Sequence, residues 1–365
     1  MIQWRRGVVV EVLSRWAGAI EYAVHLASGD SVRALGYVDA VGELAVGSSV
    51  LLNTTALEQG LGTGGLAVVV AAPDALPRPV DDVTAVAGHV VKARYTPSQT
   101  MVLGVDEQDS EHHATLADAD DLAGMPVVVA DLHSALPAIL AGLREAAPQL
   151  RVAYVMTDGG ALPIDFSRTV ARLREAGWLA ASVTVGQAYG GDLEAVNVHT
   201  GLLAAHHVVG ADVVVVSQGP GNLGTGTRWG FSGTSAGEAV NAAGTLGGRP
   251  VCSLRISEAD PRERHRGVSH HSLTAYGRVS LVPADVPVPV LPGELGGRVL
   301  AKARELCDSS AGRLAFHEVG VDGLDAALRG SPVPLRTMGR GYDDDRAGFL
   351  GAAVAGRYAA RMLKD

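Results

Sequence analysis

The sequence predicts an α/β protein: a mostly parallel, Rossmann-like sheet flanked by helices, preceded by a small all-β, barrel-like domain. Three observations carry that prediction. Residues 1–70 hold five short runs rich in β-branched residues, separated by polar or glycine-containing breaks. From residue 125 onward, apolar runs of strand length alternate with segments of helix length. Strands apolar on both faces and separated by helices belong to a parallel sheet covered on both sides. Apolar residues make up 47 % of the 365 and aromatics only 4 %, so the core must be built from Val, Ala and Leu.

The elements come in order. GVVVEVL, AIEYAVHL, SVRALGYV, SVLLN and LAVVVA read as the five strands of an SH3-like or OB-like barrel over 1–70. Prolines and charges in AAPDALPRPVDDV mark 71–83 as a linker. Residues 71–124 form a connecting segment, with two further strands in GHVVKARYTPSQTMVLGVDE and an acidic loop or short helix at 106–122. The α/β domain then spans 125–365. Its strands are MPVVVADL, RVAYVMTD, LAASVTVGQ, ADVVVVSQG and RPVCSLRIS, with RVSLVPAD and RLAFHEV as additional candidates. Its helices are LHSALPAILAGLREAAP, PIDFSRTVARLREAG, GTSAGEAVNAAGTLGG and the C-terminal DDRAGFLGAAVAGRYAARMLKD.

Composition narrows the function. A formal net charge of -9 argues against nucleic-acid binding, which runs on positive charge. The inferred barrel also lacks an aromatic stacking set. Lysine occurs only at 92, 302 and 364, so the basic residues are mostly arginine, which suits bidentate anion binding. Cys252 and Cys307 form no CxxC pair, which argues against a disulfide framework or structural zinc site. No secretory signal is visible and no apolar run reaches the ~18 residues of a membrane span. The expectation is a cytoplasmic protein with no membrane partner, and a homo-oligomer is left open.

LNTTALEQGLGTGG, YVMTDGGALP, GQAYGGDLEAVNVHTGLLAA, SQGPGNLGTGTRWGFSG and ADPRERHRGVSHHSLTAYGRV together resemble a bacterial family, domain of unknown function 3866. The resemblance spans nearly the whole chain. It implies one functional unit and brings no activity, substrate or catalytic residues with it.

In open α/β sheets, ligands bind beyond the carboxyl ends of the strands. Four polar segments stand just after predicted strands. After ADVVVVS, the stretch from Ser217 to Arg228 offers Gly219, Gly221, Asn222, Gly224, Thr225, Gly226, Thr227 and Arg228. Its backbone N–H groups, hydroxyls and guanidinium suit an anion, although neither a Walker nor a GxGxxG spacing is present. An ordinary glycine-turned loop is the competing account. After RPVCSLRIS, residues 260–271 carry three arginines and three histidines. Arg262, Arg264 and Arg266 suit phosphate or carboxylate. His265 joins them as a ligand contact, and His270 or His271 suits general acid or base work. A solvated basic loop is the bland alternative. Adjacent side chains point in different directions, so the two neighbouring histidines are not assigned to one ion.

After RVAYVM, Asp158 precedes Gly159 and Gly160 and reads as a base or as a turn aspartate. After LAASVTV, Gln187 is a ligand contact, and Asp192 with Glu194 reads as a carboxylate pair or as a helix N-cap and first-turn residue. His133 could join Asp131 or Asp158 on a metal, but is more often structural. The loop from Asn53 through Gly65 is a lid or a simple turn. The candidate catalytic residues are therefore Asp158, Asp192, His270 and His271. The leading reading is a small-molecule enzyme with an anionic or phosphorylated substrate. The alternative is a non-catalytic ligand sensor or scaffold whose β domain binds a partner. No cofactor and no metal ligand is assigned.

Overall fold

The computed structural model describes residues 1–61, 64–77 and 88–364, which fall into two compact units. Gly62 and Thr63 of the glycine loop, and 78–83 of the expected linker, lie outside the described residues.

The first unit comprises 1–87 with 96–98 and 165–171. Its elements are β1 (Trp4–Trp16), β2 (Ala19–Leu26), β3 (Ser31–Tyr37), α1 (Val38–Val41), β4 (Ser49–Asn53), α2 (Thr55–Glu58) and β5 (Ala67–Ala71). The strands close into a barrel of order β1-β2-β3-β5-β4, which leaves no free edge. Pairing shifts register between Val9 and Glu11 and between Val12 and Ser14. These irregularities let the long β1 bend around the barrel to meet both β2 and β4. Val9, Ile20, Tyr22, Val24, Leu52 and Val69 fill the interior. The Tyr22 hydroxyl accepts from Leu44 N at 3.0 Å. Arg33 and Arg168 both donate to buried Glu21, and the Arg33 bond leads in holding that carboxyl below the usual range.

The second unit opens with an antiparallel pair, β6 (Val90–Lys92) and β7 (Thr100–Val102), and helix α3 (His113–Leu116). Strands β8 (Pro126–Val129), β9 (Val152–Thr157), β10 (Ala181–Thr184) and β11 (Leu193–Glu194) come next. Helix α4 (Leu136–Ala146) and the end of α5 (Arg168–Glu175), whose first four residues count with the first unit, alternate with them, and α6 (Val198–His207) leads to β12 (Val213–Gln218), α7 (Ser235–Thr245) and β13 (Arg249–Cys252). The remainder holds β14 (Ile256–Ser257), β15 (Gly267–Val268), α8 (His270–Thr274), β16 (Ala284–Pro289), α9 (Gly293–Asp308) and β17 (Leu314–Val319). It ends with α10 (Leu324–Arg329), β18 (Arg336–Thr337), β19 (Arg340–Gly341) and α11 (Arg346–Arg361).

Eight strands form one sheet of order β11-β10-β9-β12-β8-β13-β16-β17, and every pairing in it is parallel. The α/β reading of the sequence holds. The central strands are buried along almost their whole length, because helices cover both faces. On one side α4 and α11 cross closely. A Cβ on Gly142 would lie 1.9 Å from Ala353 O, and one on Gly356 2.0 Å from Ile139 O. Only glycine admits that approach.

Two expectations need correction. The strand expected in RVSLVPAD begins six residues later, at Ala284. Residues 275–279 form a π-helical turn instead. Asn241 holds the turn's exit by donating to Val279 O at 3.1 Å and accepting from Leu281 N at 2.7 Å. Strand β16 carries Pro287 and Pro289, which lack ladder donors. The helix expected to start at Asp192 starts at Val198, capped by Asn197 Oδ1, which accepts from Thr200 N at 3.0 Å. Glu194 lies on β11. Among the described residues no helix is long and apolar enough to cross a membrane.

Candidate functional site

The strand order decides which loops meet. The chain lays down β8, builds β9 to β11 on one side, returns to β12 and then crosses to β13 on the other side. The carboxyl ends of β12, β8 and β13 therefore stand side by side, where a doubly wound sheet opens a crevice. Asp131, Gln218 and Arg255 project there.

Gln218 Nε2 donates to Asp131 O at 2.8 Å and to Asn222 Oδ1 at 3.2 Å. Ser232 Oγ donates to the same Asn222 oxygen at 2.8 Å. Asn222 thus braces the glycine loop. Thr225 and Thr227 share a hydroxyl contact at 3.1 Å, and Thr227 Oγ1 accepts from Gly230 N. These two hydroxyls turn into their own loop. Gly219 is buried, whereas Gly221, Gly224, Gly226 and Arg228 are exposed.

His265, His270 and His271 form a triangle of rings. Centroids are 4.9 Å apart for His265 with either neighbour and 4.4 Å between His270 and His271. One ring nitrogen from each lies within 4.8 Å of the others. This corrects the expectation that the adjacent pair diverges. Both rings sit in the first turn of α8, and Phe231 stacks flat on His271 at 3.8 Å and 5°, which turns that ring toward its neighbour. His265 Nδ1 is 2.7 Å from Ser269 Oγ. His271 Nδ1 lies 3.1 Å from Arg255 Nη1 and 3.6 Å from Asp131 Oδ2. Asp131 Oδ2 and His270 Nε2 are buried and have no hydrogen-bond partner among the described residues.

Burial depresses two of these rings, followed for His265 by the Arg255 charge and for His270 by His271 and then Arg264. His265 is pushed down to about 3 and His270 to about 4. Both are neutral at pH 7 and keep a lone pair. Arg262 grips Asp260 through Nε and Nη2 at 2.9 and 3.0 Å. Burial raises the Asp260 carboxyl, but Arg262 outweighs it and the group ionises well below the usual carboxylate range. Arg262 therefore shapes the loop rather than facing ligand. Arg264 instead lines a cleft of about 580 Å³ with Gly226, Arg228, His270, Arg278 and Lys302. A neighbouring hollow adds Arg266 and Arg298. The glycine loop and the histidine–arginine stretch thus line one cleft.

The other candidates lie apart from it. Asp158 is exposed and accepts from Gln187 N at 2.8 Å, while Gln187 Oε1 accepts from Arg94 N at 3.0 Å. Their loop still packs on the crevice. A Cβ on Gly159 would meet Gln218 Oε1 at 2.4 Å and one on Gly160 would meet Gly219 O at 2.2 Å. Asp192 accepts from Ser182 N and Oγ at 2.7 and 2.9 Å and pairs with Arg174. It forms no pair with Glu194, whose carboxylate lies 3.4 Å from buried Lys92. His133 is buried against Tyr154, its Nδ1 3.0 Å from the hydroxyl.

Sequence reasoning passed over Arg255, Phe231, Arg278 and Lys302. Arg255 comes soon enough after β13 to be found by the strand-end rule, whereas the others carry no local signal. The sequence reading takes Gly-x-Ser-x-Gly to be absent, which is wrong, since Gly233–Gly237 reads GTSAG. That string opens α7 after a 3₁₀ turn, and Ser235 Oγ donates to Ser232 O at 3.0 Å. A nucleophile elbow needs strand, turn and helix, so none is formed here.

No curated protein matches the chain. One similar solved structure is the signal recognition particle 54 kDa protein of Aeropyrum pernix K1 in complex with GDP. It has 12 % identity and a TM-score of 0.29, over 66 % of this chain and 50 % of that one. The match spans half of that protein's length and is too distant to inform the site. Residues 33–356 match the protein family of unknown function DUF3866, and by that nearly complete coverage the chain belongs to it.

Proposed function

We propose that the α/β unit is an enzyme that binds an anionic, phosphorylated small molecule at the strand-end cleft and acts on it beside the histidine triangle. The observation that carries this reading is the set of cations, Arg228, Arg264, Arg278 and Lys302, gathered around His270 in a chain of net charge -9. Lys302 is held by Glu305 at 2.8 Å. The three arginines form no ion pair among the described residues, so their donors are left for a ligand. Guanidinium groups match phosphate oxygens with paired N–H bonds. Neutral His270 stands at the wall of this cleft, where the bound group would meet it. Asp192, tied to Ser182 and Arg174, takes no part.

The test is calorimetric titration with inorganic phosphate and pyrophosphate, then a panel of phosphorylated metabolites assayed for phosphate release. Arg264→Ala should weaken anion binding at least tenfold, since a hydrogen bond to a charged group contributes about 1.5–3 kcal/mol. Absence of binding at millimolar anion, with Arg264→Ala indistinguishable from the parent, would overturn the reading. Binding without turnover would favour a ligand sensor.

A further inference from the structure

At the histidine triangle two buried polar atoms make no hydrogen bond among the described residues: His270 Nε2 and, beside the triangle, Asp131 Oδ2. Buried polar atoms are almost always satisfied, and each exception calls for a cause. Together with the convergence of one nitrogen from each ring within 4.8 Å, they point to a missing occupant. We infer that His265, His270 and His271 hold a divalent transition-metal ion.

The surroundings fit a ligand set. His265 is anchored through Nδ1 by Ser269 at 2.7 Å, which leaves Nε2 as its ligand atom. Metal-bound imidazoles usually have the other nitrogen held in this way. For His271, Arg255 Nη1 is a pure donor 3.1 Å from Nδ1, so the ring proton sits on Nε2. An ion at Nε2 moves that proton to Nδ1, with no net release. Asp131 Oδ2, 3.6 Å away, then accepts it. Arg255, already 3.9 Å from the same oxygen, shifts onto the carboxylate. The unpartnered Asp131 oxygen is thus the acceptor that loading requires.

Three imidazoles favour zinc and its neighbours over magnesium or calcium, which take oxygen ligands. Zinc–nitrogen bonds of about 2.0–2.1 Å require the three nitrogens to close inward on loading, and half-buried His270 has the freedom to do so. A three-histidine set leaves a fourth position for water or substrate. Since His270 also lines the cationic cleft, the ion would stand beside a bound phosphoryl group as a Lewis acid. Binding of the ion does not depend on the proposed function; only its part in the reaction does.

The test uses the full-length protein stripped with chelator and dialysed, titrated with zinc alone and separately with cobalt(II) alone. One equivalent of zinc and the visible bands of tetrahedral cobalt are expected. His270→Ala should weaken zinc affinity at least tenfold. Asp131→Asn, which leaves all three imidazoles in place, should weaken it tenfold or more. Arg264→Ala should not weaken zinc affinity while weakening phosphate. Zinc uptake below a fifth of an equivalent, or equal affinity in His270→Ala, would overturn the inference. Phosphate binding that persists in that case would leave the proposed function standing.

Discussion

Asp260→Asn should loosen the histidine–arginine loop without touching a group that faces the cleft. Asp260 is fully buried. Oδ1 accepts from Arg262 N at 3.0 Å and Nε at 2.9 Å, and Oδ2 from Arg262 Nη2 at 3.0 Å and Arg340 Nη2 at 3.4 Å. Arg340 passes the linkage on to Asp345 at the start of α11, its Nε donating at 2.8 Å. Asparagine keeps the shape and one acceptor oxygen but removes the charge, stranding the Arg262 guanidinium, while Arg340 keeps Asp345. Removing one partner of a buried pair costs about 3–5 kcal/mol. The arginine side chains are 38 % and 18 % exposed, so water recovers part of that, and about 2–3 kcal/mol remains. With a urea slope of about 3 kcal/mol/M, the midpoint of the α/β unit falls by about 0.7–1 M. Phosphate affinity should fall with it, because Arg264 rides on the same loop. Arg340→Met should cost less when added to Asp260→Asn than alone, the sign of a shared interaction. A loss under about 0.5 kcal/mol with unchanged phosphate affinity would refute the claim that this buried carboxylate positions the site.

His133 ionises at about 4 in the folded protein, against 6.5 unfolded, chiefly because of burial. Its neutral form is favoured on folding, so its contribution is present above pH 6.5 and lost as pH falls to 4; about 3 kcal/mol disappears over that window. Urea midpoints measured from pH 7.5 to 4.5 should show this loss, and His133→Asn should reduce it, leaving the part that His265 and His270 contribute. Gly160→Ala would drive a Cβ to 2.2 Å from Gly219 O and 2.6 Å from Pro220 O; a loss of about 1–3 kcal/mol is expected, read by urea unfolding. Lys92→Met removes an ammonium that donates to Ala188 O and Ala195 O and lies 3.4 Å from the Glu194 carboxylate. It should destabilise by about 3–5 kcal/mol, and Lys92→Met with Glu194→Leu should recover part of that loss in the same assay.

The layered architecture was legible because burial on both faces leaves an unmistakable trace. VVVVSQ and VAYVMT can be nothing but central strands, and the barrel strands were equally plain. Helix α9 was not. Its apolar positions are interrupted by Gly296 and Gly297, so the periodicity fades. Strand β16 was displaced in the sequence reading because alternating prolines look like a loop. It survives in the sheet because parallel β17 pairs along all six of its residues while β13 touches it at a single register position.

The site was legible as a set of residues but not as a place. Local pattern picks out the polar residues at each strand's carboxyl end, and that rule found Asp158, Gln187, the glycine loop and the histidine–arginine stretch. It says nothing about strand order. The order observed puts the loops after β12, β8 and β13 together, so Asp131 and Arg255 join the histidines while Asp158 falls with Gln187 beyond β12. Nor does sequence separation report convergence. His265 and His271 meet edge to face at 4.9 Å only because Ser269 caps α8 and folds the chain back between them, accepting from His271 N at 3.2 Å. The adjacent-residue rule forbids a shared ligand when backbone direction alone sets where side chains point. Here Phe231, from the loop after β12, supplies the missing constraint by stacking on His271. The chemistry therefore depends on a contact between two loops that the sheet order makes neighbours, and a change at Phe231 should disperse the triangle more readily than a change to the strands beneath it.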